Sequence, residues 1–150
     1  MEKSINHRLF FNQAPNEVWE YLTRAELIEL WLMKNDFQPI VGHEFQFRHN
    51  PLPNFNFSGV VYCKVLEIVP FKKLSYSWKG EGMDGKISLD SVVVWTLHEK
   101  DNGTELQIVH TGFTDQQHPM AFAAMNNGWL QNMQKIPVLI NKAKHGQSNT

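Results

Sequence analysis

Five consecutive segments in the middle of the chain alternate between apolar and polar residues, and this run restricts the fold more than any other feature. The segments span residues 42–49, 59–69, 74–78, 88–98 and 104–111. Because successive side chains of a strand point to opposite faces of a sheet, each segment predicts a strand with one buried face. Short turns such as Asp101-Asn102-Gly103 separate the segments, so we expect a meander of antiparallel strands.

The segments before this run predict one more strand and two short helices. Residues 5–11 have the pattern of a strand, and Ala14-Pro15-Asn16-Glu17 starts a helix with proline at its first position. Thr23-Arg24-Ala25-Glu26 has the form of a capping box, which predicts the start of a second helix. Pro39 and Gly42 end this helical region.

The last part of the chain predicts a long amphipathic helix over residues 119–143. Its apolar side chains recur at steps of three or four, at Phe122, Met125, Trp129, Met133, Ile136 and Ile140. Pro137 lies inside this pattern and should kink the helix or loosen its last turns. The predicted architecture is an α+β helix-grip fold, in which a curled six-stranded antiparallel sheet surrounds the long C-terminal helix. Such an arrangement leaves space for a ligand between sheet and helix.

Composition favours one globular domain over the 150 residues, with a core from about 4 to 144 and a polar tail over 145–150. The formal net charge is −1 and the basic residues are scattered, which excludes the basic stripe of a nucleic-acid-binding protein. No apolar run is long enough for membrane insertion. The single cysteine, Cys63, cannot form an internal disulfide, which favours a cytoplasmic location.

Large aromatic side chains are more numerous than a core of this size requires. Four tryptophans fall at or near the ends of different predicted elements, with phenylalanines and a tyrosine beside them. Either the core is unusually aromatic or the elements enclose an apolar cavity lined by rings, and the sequence favours the cavity. The candidate ligand-binding residues are Trp31, Phe45, Phe47, Tyr76, Trp78, Trp95, His110, Phe122, Met125 and Trp129. Plain core packing is the alternative for each of them.

His110 is the best candidate for a polar group in such a cavity, because it shares the predicted inward face of its strand with Leu106 and Ile108. It could orient a ligand or move a proton. The alternative is a buried neutral histidine bonded to a backbone carbonyl. His43, His49, His98 and His118 lack the spacing of a metal site, so no metal is expected. Hydrolytic motifs and phosphate-binding loops are absent, and no cofactor is expected.

Two loops could border the opening of the cavity. The glycine-bearing segment 80–85 could act as a mobile flap, and segment 49–57, with two prolines and two phenylalanines, could form a semi-rigid lip across from it. For the flap, an ordinary surface loop is the alternative.

A series of short motifs runs in order through nearly the whole chain, from about residue 8 to 140. They are Ala14-Pro15-Asn16-Glu17-Val18-Trp19, Ala25-Glu26-Leu27 with Trp31, Gly59, Val65-Leu66-Glu67-Ile68-Val69-Pro70, Leu74-Ser75-Tyr76-Ser77-Trp78, Gly103-Thr104-Glu105-Leu106, His110-Thr111-Gly112-Phe113 and Gly128-Trp129. In order and spacing the chain resembles the activator-of-heat-shock-protein-90-ATPase homologue-like family, part of the START-like superfamily (SRPBCC, also called Bet v-like). The resemblance implies a hydrophobic cavity for a small lipid-like or aromatic molecule. It does not imply one reaction, since the superfamily contains carriers, sensors and cyclases.

These observations favour a carrier or sensor without enzymatic activity for a small hydrophobic, ring-containing or lipid-like molecule. One alternative is an enzyme of the aromatase/cyclase type, in which His110 and Tyr76 perform acid–base chemistry on a bound ketone. Another is a protein-interaction or stress-related co-chaperone-like module, which would carry a contiguous exposed apolar patch.

Overall fold

The computed structural model describes residues 2–114 and 118–148. In chain order its elements are β1 (Glu2–Phe11), α1 (Pro15–Thr23), α2 (Ala25–Trp31), β2 (Lys34–Asn35), β3 (Glu44–Arg48), a 3-10 turn (Pro53–Phe55), β4 (Val60–Val69), β5 (Lys73–Glu81), β6 (Ile87–Lys100), β7 (Gly103–Thr114), α3 (Pro119–Met133) and α4 (Lys135–Ser148).

The strands form one antiparallel sheet in the order β1-β7-β6-β5-β4-β3-β2. From β2 to β7 each strand pairs with its neighbour in sequence, as the predicted meander requires. The first strand pairs with the last, so that Ile5 lies opposite His110 and Leu9 opposite Leu106. Because β1 and β2 form opposite edges, the sheet is open rather than closed into a barrel.

The prediction of six strands was wrong, because the sheet has seven. The additional strand, β2, has two residues, which pair with Arg48 and Phe47 of β3. Two residues are too few for a pattern of alternation, so hydrophobic periodicity cannot detect them. Side-chain hydrogen bonds fix this segment instead: the Asn35 amide donates to the carbonyl oxygens of Ala25 (3.2 Å) and Met33 (3.0 Å).

The predicted single C-terminal helix is two helices, α3 and α4, which separate at Gln134. Pro137 explains the position of the break: it has no N–H to donate to the carbonyl of Met133, and its ring would clash with that carbonyl in a continuous helix. The second helix runs to Ser148, beyond the predicted end at residue 143. Part of the predicted polar tail is therefore helical, and residues 149–150 lie outside the described residues.

The predicted capping box at Thr23 was also wrong. Thr23 is the last residue of α1, and its hydroxyl donates to the carbonyl oxygen of Trp19 at 2.8 Å. The residue before α2 is Arg24, which makes no capping bond with its side chain. The first turn of α1 is closed by Glu17, whose carboxylate accepts from the backbone N–H of Ala14 at 3.2 Å.

The predicted inward faces of the strands are confirmed. The residues assigned to them are all buried: Phe45, Phe47, Leu74, Tyr76, Trp78, Val93, Trp95, Leu97, Leu106, Ile108 and His110. They pack against Trp129 and Met133 of α3 and against Ile136 and Ile140 of α4, in one hydrophobic cluster. The period-two pattern therefore assigned these side chains to the correct side of the sheet.

Gly59 fixes the loop that joins β3 to β4, because its backbone has a φ of +107° and touches the start of that loop. A methyl group at Gly59 would lie 2.2 Å from the carbonyl oxygen of His49. We expect Gly59→Ala to lower the free energy of unfolding by about 2–3 kcal/mol through backbone strain and this clash. Urea denaturation measures the loss.

Gly128 provides the control for this substitution. It lies within α3, and a methyl group there would meet no atom within 4 Å. Gly128→Ala should therefore raise the free energy of unfolding by about 0.5–1 kcal/mol through helix propensity. Equal unfolding curves for the two variants would contradict the assigned role of Gly59.

Candidate functional site

A cavity of about 400 Å³ lies between α3 and the sheet. The strands β4, β5 and β6 contribute one wall, the segment 49–57 a second, and α3 with the start of α4 a third. Its lining residues are Leu32, Met33, His49, Leu52, Phe55, Asn56, Phe57, Val61, Trp78, Gly80, Ser88, Leu89, Ala121, Ala124, Met125, Gly128, Trp129, Asn132 and Lys135. Most of these side chains are apolar, as in sites for small organic molecules.

Small residues on one face of α3 create this space. Ala121, Ala124 and Gly128 follow one another at steps of three and four, so they lie on the same side of the helix and face the cavity. Short side chains on this face leave volume where α3 meets the sheet. Trp129 and Met133 mark the part of α3 that is buried in the core.

Two histidines attach α3 to the sheet: His118, which immediately precedes the helix, and His7 of β1. The ring of His118 donates from Nε2 to the carbonyl oxygen of Ser88 at 2.9 Å and accepts at Nδ1 from the backbone N–H of Thr114 at 3.2 Å. The ring of His7, on β1, donates from Nε2 to the carbonyl oxygen of Asn126 at 2.7 Å. These bonds hold the helix in place over the cavity.

Three of the ten predicted ligand-binding residues line the cavity: Trp78, Met125 and Trp129. The other seven do not: Trp31, Phe45, Phe47, Tyr76, Trp95, His110 and Phe122. Six of these seven are buried, and Phe122 is half-buried against Phe113 at 5.4 Å between ring centroids.

The buried rings pack on one another in the interior. Trp95 contacts Trp31 at 5.9 Å and Trp129 at 5.5 Å between centroids, both edge to face. On the other side of the cluster, Phe45 contacts Tyr76 at 5.4 Å in the same geometry. Edge-to-face contacts of this kind stabilise a core beyond the area they bury. These rings therefore pack on one another in the core, and of the residues in these contacts only Trp129 also lines the cavity.

His110 has both ring nitrogens bonded. The indole N–H of Trp129 donates to Nδ1 at 3.0 Å, and because indole is only a donor, that nitrogen carries a lone pair. The proton of the neutral ring is therefore on Nε2, which donates to the Ser91 hydroxyl at 2.8 Å, and Ser91 donates in turn to the carbonyl oxygen of Trp78 at 2.6 Å. Burial lowers the pKa of His110 to about 3.

Tyr76 is held in a similar way. Its hydroxyl accepts a hydrogen bond from the indole N–H of Trp95 at 2.9 Å, and burial raises the pKa of the Tyr76 hydroxyl. His110 and Tyr76, the two residues that the sequence suggests for acid–base chemistry, thus have hydrogen-bond partners inside the protein. Neither of them lines the cavity. For His110 the structure favours the buried neutral alternative, with a serine hydroxyl rather than a backbone carbonyl as the acceptor.

The polar side chains that do line the cavity are His49, Asn56, Ser88, Asn132 and Lys135. The sequence assigned no binding role to them individually, although His49 and Asn56 belong to the segment considered as a lip. No regular pattern could have identified Ser88, Asn132 and Lys135. They become neighbours of the cavity only through the way in which α3 crosses the sheet.

The segments considered as lip and flap lie side by side rather than across an opening. Asn56 accepts from the backbone N–H of Met83 at 2.9 Å, and the hydroxyl of Ser58 donates to the Glu81 carboxylate at 2.6 Å. Five residues of the lip line the cavity, but only Gly80 of the flap does so. The lip is thus a wall of the cavity, and the turn after β5 supports it from outside.

The family model for Activator of Hsp90 ATPase homolog 1-like protein matches residues 12–141. The chain belongs to this family. No curated protein matches it significantly.

Several solved structures share the fold. Protein MLL2253 from Mesorhizobium loti is similar at 35% identity over 93% of this chain and 98% of its own, with a TM-score of 0.82. Protein BH1534 from Bacillus halodurans has 25% identity over 92% and 96%, with a TM-score of 0.70. The Aha1 dimer from Colwellia psychrerythraea has 20% identity over 90% and 93%, with a TM-score of 0.71. The architecture is thus that of the START-like superfamily, with seven strands and a divided C-terminal helix.

One motif of the Activator of Hsp90 ATPase homolog 1-like resemblance has a clear structural cause. Gly112 is the additional residue of a bulge in β7, where Lys3 pairs with Phe113 and Ser4 with Thr111. Its φ is +118°, and a methyl group there would lie 2.8 Å from the Cα atom of Ser91. The bulge changes the direction of the last residues of β7. Because Gly112 has no side chain, the neighbouring strand β6 can approach closely.

The described part of the chain contains no group of three or more histidine, cysteine, aspartate or glutamate side chains that could hold a metal ion. Among the same residues, no helix has the length and apolar character needed to cross a membrane.

Proposed function

We propose that this member of the Activator of Hsp90 ATPase homolog 1-like family binds a small hydrophobic, ring-containing or lipid-like molecule in the cavity beneath α3, as a carrier or sensor. The observation that carries the proposal is the cavity of about 400 Å³, which lies within the ordinary range of about 300–1,000 Å³ for small-molecule sites. Its lining is mainly apolar, so transfer of an apolar ligand from water would be favourable.

The proposed contacts differ from those expected from the sequence. Trp78, Trp129 and Met125 would contact the ligand directly, and Leu89 and Met33 would complete the apolar wall. The other aromatic residues would support these from behind, because they pack against one another in the core. A preformed and rigid wall lowers the entropic cost of binding.

The proposal includes a cytoplasmic location. Cys63 is a free, buried cysteine, and burial raises the pKa of its thiol, which keeps the thiol protonated and unreactive. A chain that relies on packing alone, with no disulfide, suits a reducing compartment.

Titration of the purified protein with fatty acids, sterols and flavonoid-like aromatics tests the proposal. Trp78 and Trp129 line the cavity, so a bound ligand should change tryptophan fluorescence in a saturable way for at least one class. Native mass spectrometry of the same samples should then show one ligand per chain. Absence of binding across all three classes would overturn the proposed function.

A further inference from the structure

Charged side chains are distributed unequally around the cavity. Its lining includes no aspartate or glutamate, and the two side chains in it that can carry a positive charge are His49 and Lys135. Lysine carries a compact ammonium with three hydrogen-bond donors, so Lys135 is suited to be the partner of an anion. An apolar site with one cation and no carboxylate is electrostatically complementary to an apolar molecule with one negative charge.

The ammonium group of Lys135 has no carboxylate partner among residues 2–114 and 118–148. Two other lysines do have such partners: Lys144, also on α4, lies 2.7 Å from Glu17, and Lys73, on β5, lies 2.9 Å from Glu67. Lys142 of α4 has no carboxylate partner among the described residues, but it does not line the cavity. Lys135 is exposed at one end of the cavity, with the half-buried amide of Asn132 one turn before it. An ammonium and an amide at this place together offer donors to a carboxylate.

The cavity lining follows the length of α3. On this helix it runs from Ala121 to Asn132, which at 1.5 Å per residue corresponds to roughly 16 Å and about three helical turns, and Lys135 follows at the start of α4. Ala121 lies at one end of this lining, Ala124, Met125 and Gly128 lie in the middle, and Lys135 lies at the other end. A ligand that lies along the cavity would thus place its apolar part beneath α3 and one terminus beside Lys135.

We propose that the ligand is an extended apolar monocarboxylate, whose carboxylate pairs with the Lys135 ammonium while its chain lies against Trp78 and Trp129. This inference rests on the proposed function and adds the charge and shape of the ligand. Lys135 sets the orientation of the ligand and the preference for an acid over a neutral molecule of the same length.

Paired titrations with dodecanoate and 1-dodecanol at pH 8 test this assignment, with tryptophan fluorescence as the readout. The two probes share a chain and differ in the charged terminus. The wild-type protein should bind dodecanoate about 10-fold more tightly than dodecanol, because a charge-assisted hydrogen bond is added. Lys135→Gln should weaken dodecanoate binding about 5- to 10-fold, with little change for dodecanol.

Lys142→Gln is the matched control. Lys142 is exposed on the same helix and does not line the cavity, so its substitution should leave both affinities unchanged. Equal effects of Lys135→Gln on the two probes, or none on dodecanoate, would overturn the inference. Binding of dodecanol without preference for dodecanoate would also overturn it and leave the proposed function standing. If the wild type bound neither probe, the assignment would fail, and the wider panel of sterols and aromatics would decide the proposed function separately.

Discussion

Gly128→Trp should abolish ligand binding while the protein remains folded. Gly128 lines the cavity, and a Cβ atom added there would meet no atom within 4 Å. An indole buries roughly 150–250 Å², enough to occupy much of the groove, so we expect affinity for any cavity ligand to fall by more than about 100-fold. Replacing a helical glycine also favours the helix, so the free energy of unfolding should not decrease. Fluorescence or calorimetric titration measures the affinity.

Ala123→Trp is the matched control for Gly128→Trp. Ala123 is an exposed residue of the same helix and is not part of the cavity lining. The Ala123→Trp substitution introduces the same side chain on another face of α3 and should leave ligand affinity unchanged. If Gly128→Trp bound the ligand as tightly as Ala123→Trp did, the ligand would have to bind elsewhere on the protein.

The second large effect is expected at His110. His110→Leu removes the acceptor of the Trp129 indole N–H in the core. An unsatisfied buried donor costs about 1–3 kcal/mol, and with imperfect packing we expect a total loss of about 2–4 kcal/mol in the free energy of unfolding at pH 7. His110→Gln should lose less, because an amide can accept from Trp129 and donate to Ser91. Urea denaturation measures both losses.

The effect of His110→Leu should depend on pH. The pKa of His110 is about 3 in the folded protein, below the ordinary value of 6.5 that applies to the unfolded chain. Between these values the unfolded chain binds the additional proton, so wild-type stability is complete above pH 6.5 and falls by about 1.4 kcal/mol per pH unit as the pH decreases toward 3. Leucine does not titrate. The difference between wild type and variant should therefore shrink by about 2 kcal/mol between pH 7 and pH 5.

A constant difference across that pH range would contradict the neutral, structurally bonded ring. The same experiment separates the two interpretations of His110 that the sequence leaves open. A residue that acts only as an acid or base on the cavity wall would contribute little to the free energy of unfolding. A residue that hydrogen-bonds to both Trp129 and Ser91 in the core should contribute substantially to it.

The sequence predicted which face of each strand is buried better than it predicted which residues line the cavity. Alternation assigns Tyr76 and Trp78 to one face because the backbone geometry of a strand requires it. It does not say whether opposing faces touch, and for that reason Tyr76, a predicted ligand contact, lies in a packed aromatic cluster. The two residues are neighbours in the same pattern, yet only Trp78 lies on the cavity wall.

The cavity depends on features that a search for large side chains overlooks. Ala121, Ala124 and Gly128 matter because of the volume they leave unfilled, and small residues on a helix usually indicate close packing instead. Lys135 lies immediately after the helix break, so its place at the end of the groove depends on where Pro137 interrupts the helix. A tertiary arrangement of this kind is set by how three elements cross, which local patterns do not record.

The pairing of β1 with β7 has a consequence for the order of events on the ribosome. Leu9 lies opposite Leu106, a residue that is translated 97 positions later. At about 5–20 residues per second, the first strand waits roughly 5–20 s for its partner to be synthesised. During that time the apolar side chains of β1 are present in the nascent chain without the strand that covers them. Although β1 is translated before the other strands of this sheet, it is thus among the last to be incorporated into it.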